Sequence, residues 1–181
     1  MRQGQMSHTV PRVSKPPLPD WSQREGLVGR FASANHRFML KLCQSESDAL
    51  RRCAEQAYPQ ECGGALLGTP TGDIREVCAA VPCTNAQADS PQTRYSIDPR
   101  ELVCIQRDAH ERGWEIVGFY HSHPDHPARW STTDLEDAHW IGCSYVIVSV
   151  EGSRAAAANS FVLTGTREED KALSDEEIVI E

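Results

Sequence analysis

No stretch of the 181 residues approaches the ~18 consecutive apolar side chains of a membrane-spanning helix, so a membrane partner is not expected. Positive charge is scarce as well. The formal net charge is -8, which argues against nucleic acid or an acidic membrane surface as a partner. Arg2 and Arg12 stand near the N-terminus, but no apolar core of about 7–15 residues follows them, so a signal peptide is not expected. Glycine-rich phosphate loops and internal repeats are missing. The seven cysteines are odd in number and scattered, which suits reduced, buried thiols in a cytoplasmic protein better than a disulfide framework. Cys53 with Cys62 and Cys78 with Cys83 are the closest pairs, and neither belongs to a four-ligand structural zinc pattern.

Residues 1–36 carry Pro11, Pro16, Pro17 and Pro19, five basic residues against two acids, and little periodicity. They read as a flexible, disordered N-terminal extension. Residues 37–181 are enough for one compact α/β domain. Alternation over 36–42 predicts a first strand. Helical spacing over 45–57 predicts a helix capped by Ser45 or Ser47 and ended by Tyr58-Pro59. A short buried strand at 65–67, a turn at 69–73 and a strand at 74–82 make a hairpin. The polar stretch 84–93 is a loop. Asp98-Pro99-Arg100-Glu101 opens a second helix with a cap, a first-turn proline and a capping-box acid, and Gly113 ends it. Strands follow at 116–120, 145–150 and 155–163, with a last short one at 178–180.

The chain is organised around residues 116–134. Ile116 to Tyr120 is β-branched, aromatic and nearly all apolar, as a buried strand should be. Side chains alternate along a strand, so His121 and His123 project one way and Ser122 the other. Pro124 stops the strand. Ser131 then reads as the N-cap of a helix reaching about residue 140, with Asp134 aimed back at the strand end. Two imidazoles and a carboxylate with a fourth position open are a recipe for catalytic zinc, which lowers the pKa of bound water to about 7. Ser-x-x-Asp is also a plain capping pattern, and two histidines on one strand face also fit a satisfied core. The joint occurrence of the two patterns favours a metal site. A non-haem iron centre uses the same donor set. Taken by its own segment, Glu61 reads as an exposed loop acid. His126 reads as solvent-facing or as a substrate contact, Cys62 as a small buried hydrophobe, and His139-Trp140 as packing or capping.

Glu61, His121-Ser122-His123-Pro124 and Ser131-Thr132-Thr133-Asp134, with seven residues between the His and Ser motifs, resemble the JAMM (MPN-plus, JAB-domain) zinc metallopeptidases. The wider chain from about residue 37 is similar to the bacterial branch that acts on ubiquitin-like sulfur-carrier proteins. The similarity includes Glu61-Cys62-Gly63-Gly64, Arg94-Tyr95, Ile97-Asp98-Pro99 and the run 144–150. Trp130 departs from that branch, which usually has a small residue or proline before the serine, and bears on substrate fit. The resemblance implies a mixed, curved sheet flanked by helices over residues 37–181. It implies one Zn²⁺ held by His121, His123 and Asp134, with Glu61 as proton shuttle and Ser131 as oxyanion donor. His126 and Trp130 become substrate-contact candidates. The implied activity is hydrolysis after the C-terminal glycine of a ubiquitin-like sulfur carrier, releasing an amino acid such as cysteine or a short tail. The substrate tail would lie along an exposed sheet edge. The alternative is an isopeptidase removing a ubiquitin-like modifier from lysines. A metal-free scaffold would lack a ligand, and here each motif position is filled.

Overall fold

A computed structural model describes residues 38–87, 90 and 92–181. The N-terminal extension expected at 1–36 lies outside the described residues. In chain order the elements are β1 (Met39–Leu42), α1 (Gln44–Ala57), β2 (Gly63–Thr71), β3 (Ile74–Cys83), α2 (Pro99–Glu111), β4 (Glu115–Pro124), α3 (Thr132–Asp137), β5 (Ser144–Glu151), β6 (Arg154–Thr164) and β7 (Ala172–Ile180). A short 3₁₀ turn at Glu168–Asp170 precedes β7.

The strands form one mixed sheet in the order β1-β3-β2-β4-β5-β6-β7, and β1 pairs with both β3 and β7, so the sheet closes on itself. The pairs β1–β3, β1–β7 and β4–β5 are parallel, and the rest are antiparallel. The expected mixed sheet with helices is therefore present, and it is closed. Closure corrects one expectation: the seven strands leave no terminal strand whose whole flank is bare for a substrate to extend.

Alternation sorts the side chains into two layers. On one face Leu66, Tyr120, Val146 and Val148 pack with Leu40 of β1 and with Leu50 and Ala54 of α1. On the other, Ala65, Leu67 and Ile116 pack against Ile105 and Ala109 of α2. Further along that outer face, Ile147, Phe161, Leu163 and Leu173 pack with Ala128 and Ala138, which flank α3. Leu66 is fully buried, and cutting such a leucine to alanine costs about 2–5 kcal/mol.

Several local expectations are revised. α1 begins one residue early, with Cys43 as N-cap and no side-chain cap, so neither Ser45 nor Ser47 caps it. In α2, Asp98 caps Arg100 N as expected. Glu101 does not reach back to the cap; its carboxylate accepts from Thr84 N and ties the helix to the end of β3. β2 extends from Gly63 to Thr71, well beyond 65–67, because β3 and β4 supply partners on both sides. α3 stops at Asp137 rather than near 140. β7 starts at Ala172, not 178. The cysteines are mixed in exposure: Cys62 and Cys143 are buried, Cys53 and Cys83 half-buried, and Cys43, Cys78 and Cys104 exposed. That corrects the picture of uniformly buried thiols. No helix among the described residues is long and apolar enough to cross a membrane.

Candidate metal centre

β4 carries Phe119, His121 and His123 on its outer face, while Ser122 points inward and is fully buried. The inward serine has a use that alternation alone does not show. Ser122 Oγ accepts from Cys62 N at 2.9 Å, and Ser122 N donates to Cys62 O at 2.9 Å. These two bonds lock the entry to β2 beside the tip of β4, with Gly63 paired to His121. Glu61, the residue before that clamp, is thereby held in the cleft above the histidines. It is only 9% exposed, which corrects its reading as an exposed loop acid.

Gly63 is a glycine for steric reasons. A Cβ there would lie 2.5 Å from Tyr120 O and 2.5 Å from the Tyr95 ring. Tyr95, after the 84–93 loop, thus packs directly over the strand backbone at the mouth of the site.

Across the cleft, Ser131 is the N-cap of α3. Its Oγ accepts from Asp134 N at 3.2 Å, and Asp134 Oδ2 accepts from Ser131 N at 2.6 Å, a complete capping box. The same carboxylate meets the histidines. Asp134 Oδ1 lies 3.1 Å from His121 Nε2, and Oδ2 lies 3.5 Å from His123 Nε2. The two Nε2 atoms are 3.0 Å apart. Among the described residues, His121, His123 and Asp134 form the one group of three side chains whose donor atoms all lie within 4.8 Å.

This donor set fits a divalent cation. Ligand atoms about 2.0–2.2 Å from a tetrahedral ion sit about 3.3–3.6 Å from one another. The observed triangle of 3.0, 3.1 and 3.5 Å needs little adjustment. The tautomer also fits. His123 Nδ1 lies 3.1 Å from Pro127 O, a pure acceptor, so Nδ1 carries the proton and Nε2 keeps its lone pair for a metal. Neither Ser122 nor the Pro127 carbonyl was singled out from the sequence; both follow from H-S-H-P once the strand face and the turn are known.

The electrostatics match. Burial pushes the Asp134 carboxyl up, but hydrogen bonds from His121 and His123 outweigh it and hold the group well below the usual carboxylate range. Burial pulls His123 down, yet its bond to Asp134 wins and the imidazole ends above its ordinary value. Glu61 is raised, chiefly by burial, with His121 and His123 opposing. A buried acid raised above its ordinary range is better suited to hold and return a proton than a free carboxylate is.

The cleft over this centre holds about 750 Å³. Glu61, His121, His123, His126, Ser131 and Asp134 all line it. His126 is exposed, and its carbonyl accepts from Ser149 Oγ at 2.7 Å, which pins the loop after β4. Trp130 is 38% exposed and stands outside the lining. Trp140 lines the cleft and packs edge-on against Phe119, while the exposed His139 sits 3.6 Å from Glu168. Asn85 is a residue the sequence did not flag. Its Nδ2 donates to Arg94 O at 3.0 Å and to Glu61 O at 3.4 Å, and its Oδ1 accepts from Gln87 N and Ser96 N. One side chain therefore shapes the cleft wall and steadies the backbone of Glu61. Nothing in the local pattern distinguishes it from other loop asparagines.

A strand-tip pair of histidines and a helix-start aspartate, with a buried glutamate in the same cleft, form a donor set that suits a divalent cation beside an acid able to move a proton. The chain belongs to the prokaryotic homologs of the JAB domain, whose family model matches residues 44–163. It is 42% identical over 98 residues to a Haloferax volcanii protein named desampylase, covering 54% of this chain and 68% of that one. It is 37% identical over 81 residues to a Thermus thermophilus protein named probable TtuB-protein conjugate cleaving protease, covering 45% of this chain and 53% of that one. Two solution structures are similar. The Desulfitobacterium hafniense protein DSY2949 is 33% identical, with a TM-score of 0.68 over 79% of this chain and 93% of that chain. A Salinibacter ruber protein is 37% identical, with a TM-score of 0.59 over 78% and 91%. Family and relatives together make this chain an enzyme, a JAB-type peptidase or isopeptidase.

Proposed function

We propose that the chain is a zinc-dependent hydrolase that cuts the amide bond after the C-terminal glycine of a ubiquitin-like sulfur-carrier protein, releasing an amino acid such as cysteine or a short tail. The observation that carries the reading is the triangle of His121, His123 and Asp134 with Glu61 in the same cleft. His121 Nε2, His123 Nε2 and one Asp134 oxygen would hold the ion. Bound there, zinc would polarise the scissile carbonyl and acidify a coordinated water.

The remaining steps fall to the chain's own groups. Glu61 takes the proton of the attacking water and returns it to the leaving amine. Ser131 Oγ already accepts from Asp134 N, so its O–H hydrogen is available to the developing oxyanion. Tyr95, packed over Gly63, narrows the approach, which favours glycine at the end of the substrate tail. With the sheet closed, the stretch Arg94–Ile97, which lines the cleft, takes the place of a free sheet edge as the surface for that tail. The site would act in the cytoplasm, on a protein substrate rather than nucleic acid or a membrane.

The second reading is an isopeptidase that frees a ubiquitin-like modifier from lysines. The names of the two curated relatives, one for cleaving TtuB-protein conjugates, favour it. Its chemistry is the same. Both readings require that Glu61→Gln bind zinc like the parent and lose hydrolysis. Unchanged turnover in Glu61→Gln would defeat the mechanism. A carrier bearing one C-terminal amino acid, run beside a lysine conjugate of the same carrier, separates the two readings by relative kcat/KM.

A further inference from the structure

The cleft that holds the metal centre also has an apolar wall. Phe119 stands two residues before His121 on β4, on the same outer face. Its ring meets Trp140 edge-on, with centroids 5.4 Å apart, and lies tilted 5.7 Å from Tyr145. Phe119 and Leu102, in the first turn of α2, pack on the α2 core cluster, whereas Tyr145 packs on the cluster beside α3. The three rings and Leu102 therefore follow the seam between the two outer clusters. All four line the cleft, together with Ile97.

This wall is held in place and left uncovered. Trp140 N donates to the Tyr145 hydroxyl at 3.0 Å, Cys143 N donates to Trp140 O at 3.1 Å, and Lys171 Nζ donates to Ala138 O at 3.0 Å. The loop between α3 and β5 is thus fixed against the rings, and the Tyr145 hydroxyl already has its partner. Yet Trp140 remains 37% exposed, and Ile97, Leu102, Phe119 and Tyr145 are only half-buried. An apolar side chain entering here gains burial without the entropy cost of ordering the walls.

Place along the strand decides what enters. Two residues of a strand span about 6.6–6.8 Å, so Phe119 lies one such repeat from His121. The stretch assigned above to the substrate tail keeps the same step. Tyr95 packs over Gly63, whose partner on β4 is His121, and Ile97, two residues on, lines the cleft with Phe119. An extended tail has that repeat as well. With the carbonyl of its last glycine at the metal centre, the side chain two residues back falls at Phe119 and Trp140.

We propose that Phe119, Trp140 and Tyr145, flanked by Ile97 and Leu102, form a specificity subsite that takes a bulky apolar side chain third from the C-terminus of the carrier. The proposal rests on the hydrolase reading above and narrows its substrates to carriers with an apolar residue two positions before the terminal glycine. An acidic side chain in that place would lose its hydration against the rings and is rejected.

The probes are short peptides ending in X-Gly-Gly, joined through the last glycine to aminomethylcoumarin, with X as Phe, Leu, Ala or Asp. They are run on the full-length, zinc-loaded protein. kcat/KM for Phe or Leu should exceed that for Ala by at least about tenfold, with Asp poorer still. Trp140→Ala should shrink the Phe-to-Ala ratio to about threefold or less, and Trp140→Phe should restore most of it. Leu102→Ala tests the same wall from α2 should Trp140→Ala fold poorly. A merely structural role for Trp140 would lower all rates in proportion and leave the ratio intact, which overturns the subsite. Equal rates for every X in the parent overturn it too, as does a preference that shows only when the varied residue follows the scissile glycine. A Trp140→Ala protein that loses nothing but self-association makes the wall a subunit contact and overturns it likewise. If no peptide is cut, the functional reading fails, and anisotropy of fluorescein-labelled X-Gly-Gly peptides on the same protein still judges the subsite, which requires Phe to bind at least about tenfold tighter than Asp.

Discussion

Metal removal offers the sharpest check on the centre, because its size can be worked from the ligand set. Stripping the protein with a chelator and titrating zinc back should raise its melting temperature. A ligand that binds only the native state, at a free concentration of 100 Kd, stabilises by about 2.7 kcal/mol. For a chain of this length each kcal/mol moves Tm by about 2–4 °C, so the expected rise is about 5–11 °C. Asp134→Asn is the decisive variant. It keeps the shape and one acceptor oxygen for Ser131 N, so the capping loss is limited to about 1 kcal/mol and the metal-free Tm falls by only a few degrees. It removes the charged oxygens that face His121 and His123. Loss of groups that merely orient ligands costs about 10–100-fold in affinity, so losing a ligand should cost at least about 100-fold. At the same zinc concentration the gain then shrinks to about 0.4 kcal/mol, or about 1 °C. Differential scanning fluorimetry with zinc stoichiometry on both proteins gives the comparison. The exposed thiols of Cys43, Cys78 and Cys104 can hold zinc by themselves, which is why the readout is the difference between parent and variant. Equal zinc-induced shifts in the two proteins would refute Asp134 as a ligand.

Ser131 has two roles that two substitutions separate: Ser131→Ala should cost about 1 kcal/mol of stability and Ser131→Gly only a few tenths, while both lose about 10²–10³ in kcat if the hydroxyl serves the oxyanion. Denaturant midpoints beside steady-state kinetics check this, and an active Ser131→Gly would rule out the donor role. Lys171 donates to Glu136 O at 2.9 Å and Ala138 O at 3.0 Å and pairs with Glu168, holding the end of α3. Lys171→Met should weaken zinc binding by about 10-fold, as for other groups that orient ligands, measured by chelator competition. Glu176 is raised above its ordinary 4.5, mainly by burial, against opposing bonds from Ser160, Ser144 and Arg75. Between 4.5 and its raised folded value the native state binds more protons than the unfolded one, so this group's contribution to stability falls as pH rises through that window. Glu176→Gln should lack that decline, and denaturant midpoints from pH 4 upward in parent and variant would expose a missing difference.

What was readable in the sequence was what local physics decides. β4, β5 and α2 announce themselves by apolar runs, helical spacing and the Asp98-Pro99 start, and each appears where expected to within a few residues. The misses all have non-local partners. β7 begins six residues earlier than its apolar end because Glu176 is buried against Arg75, 101 positions away, and against Ser144 and Ser160. No window over 172–177 reveals that an acid there faces inward. Gly63 and Gly64 look like poor strand formers, yet β2 includes them because Tyr95 and Tyr120 fill the space their side chains would need. Closure of the sheet joins the two ends of the domain through β1 and β7, which local periodicity cannot show. Asn85 likewise acquires its position only when the loop folds back on Glu61.

The metal-centre motif shows why one pattern supported two readings. In the sequence Ser-x-x-Asp fits a plain helix cap, and with Ser131 as N-cap it also aims Asp134 back at the strand end as a ligand. In the structure the same atoms meet both requirements. A six-residue helix has too few hydrogen bonds to stand alone, so α3 depends on its cap at one end and on Lys171 at the other. The cap holds the Asp134 carboxylate through Ser131 N, fixing its plane, and the oxygen not used there lies nearest His121. The helix start is thus a jig for the carboxylate, as the Pro127 carbonyl is for His123. Preorganisation of this kind holds the three donors in a geometry that fits a divalent cation. Its cost is three polar side chains crowded within 3.0–3.5 Å, and a bound divalent ion is what would relieve that crowding.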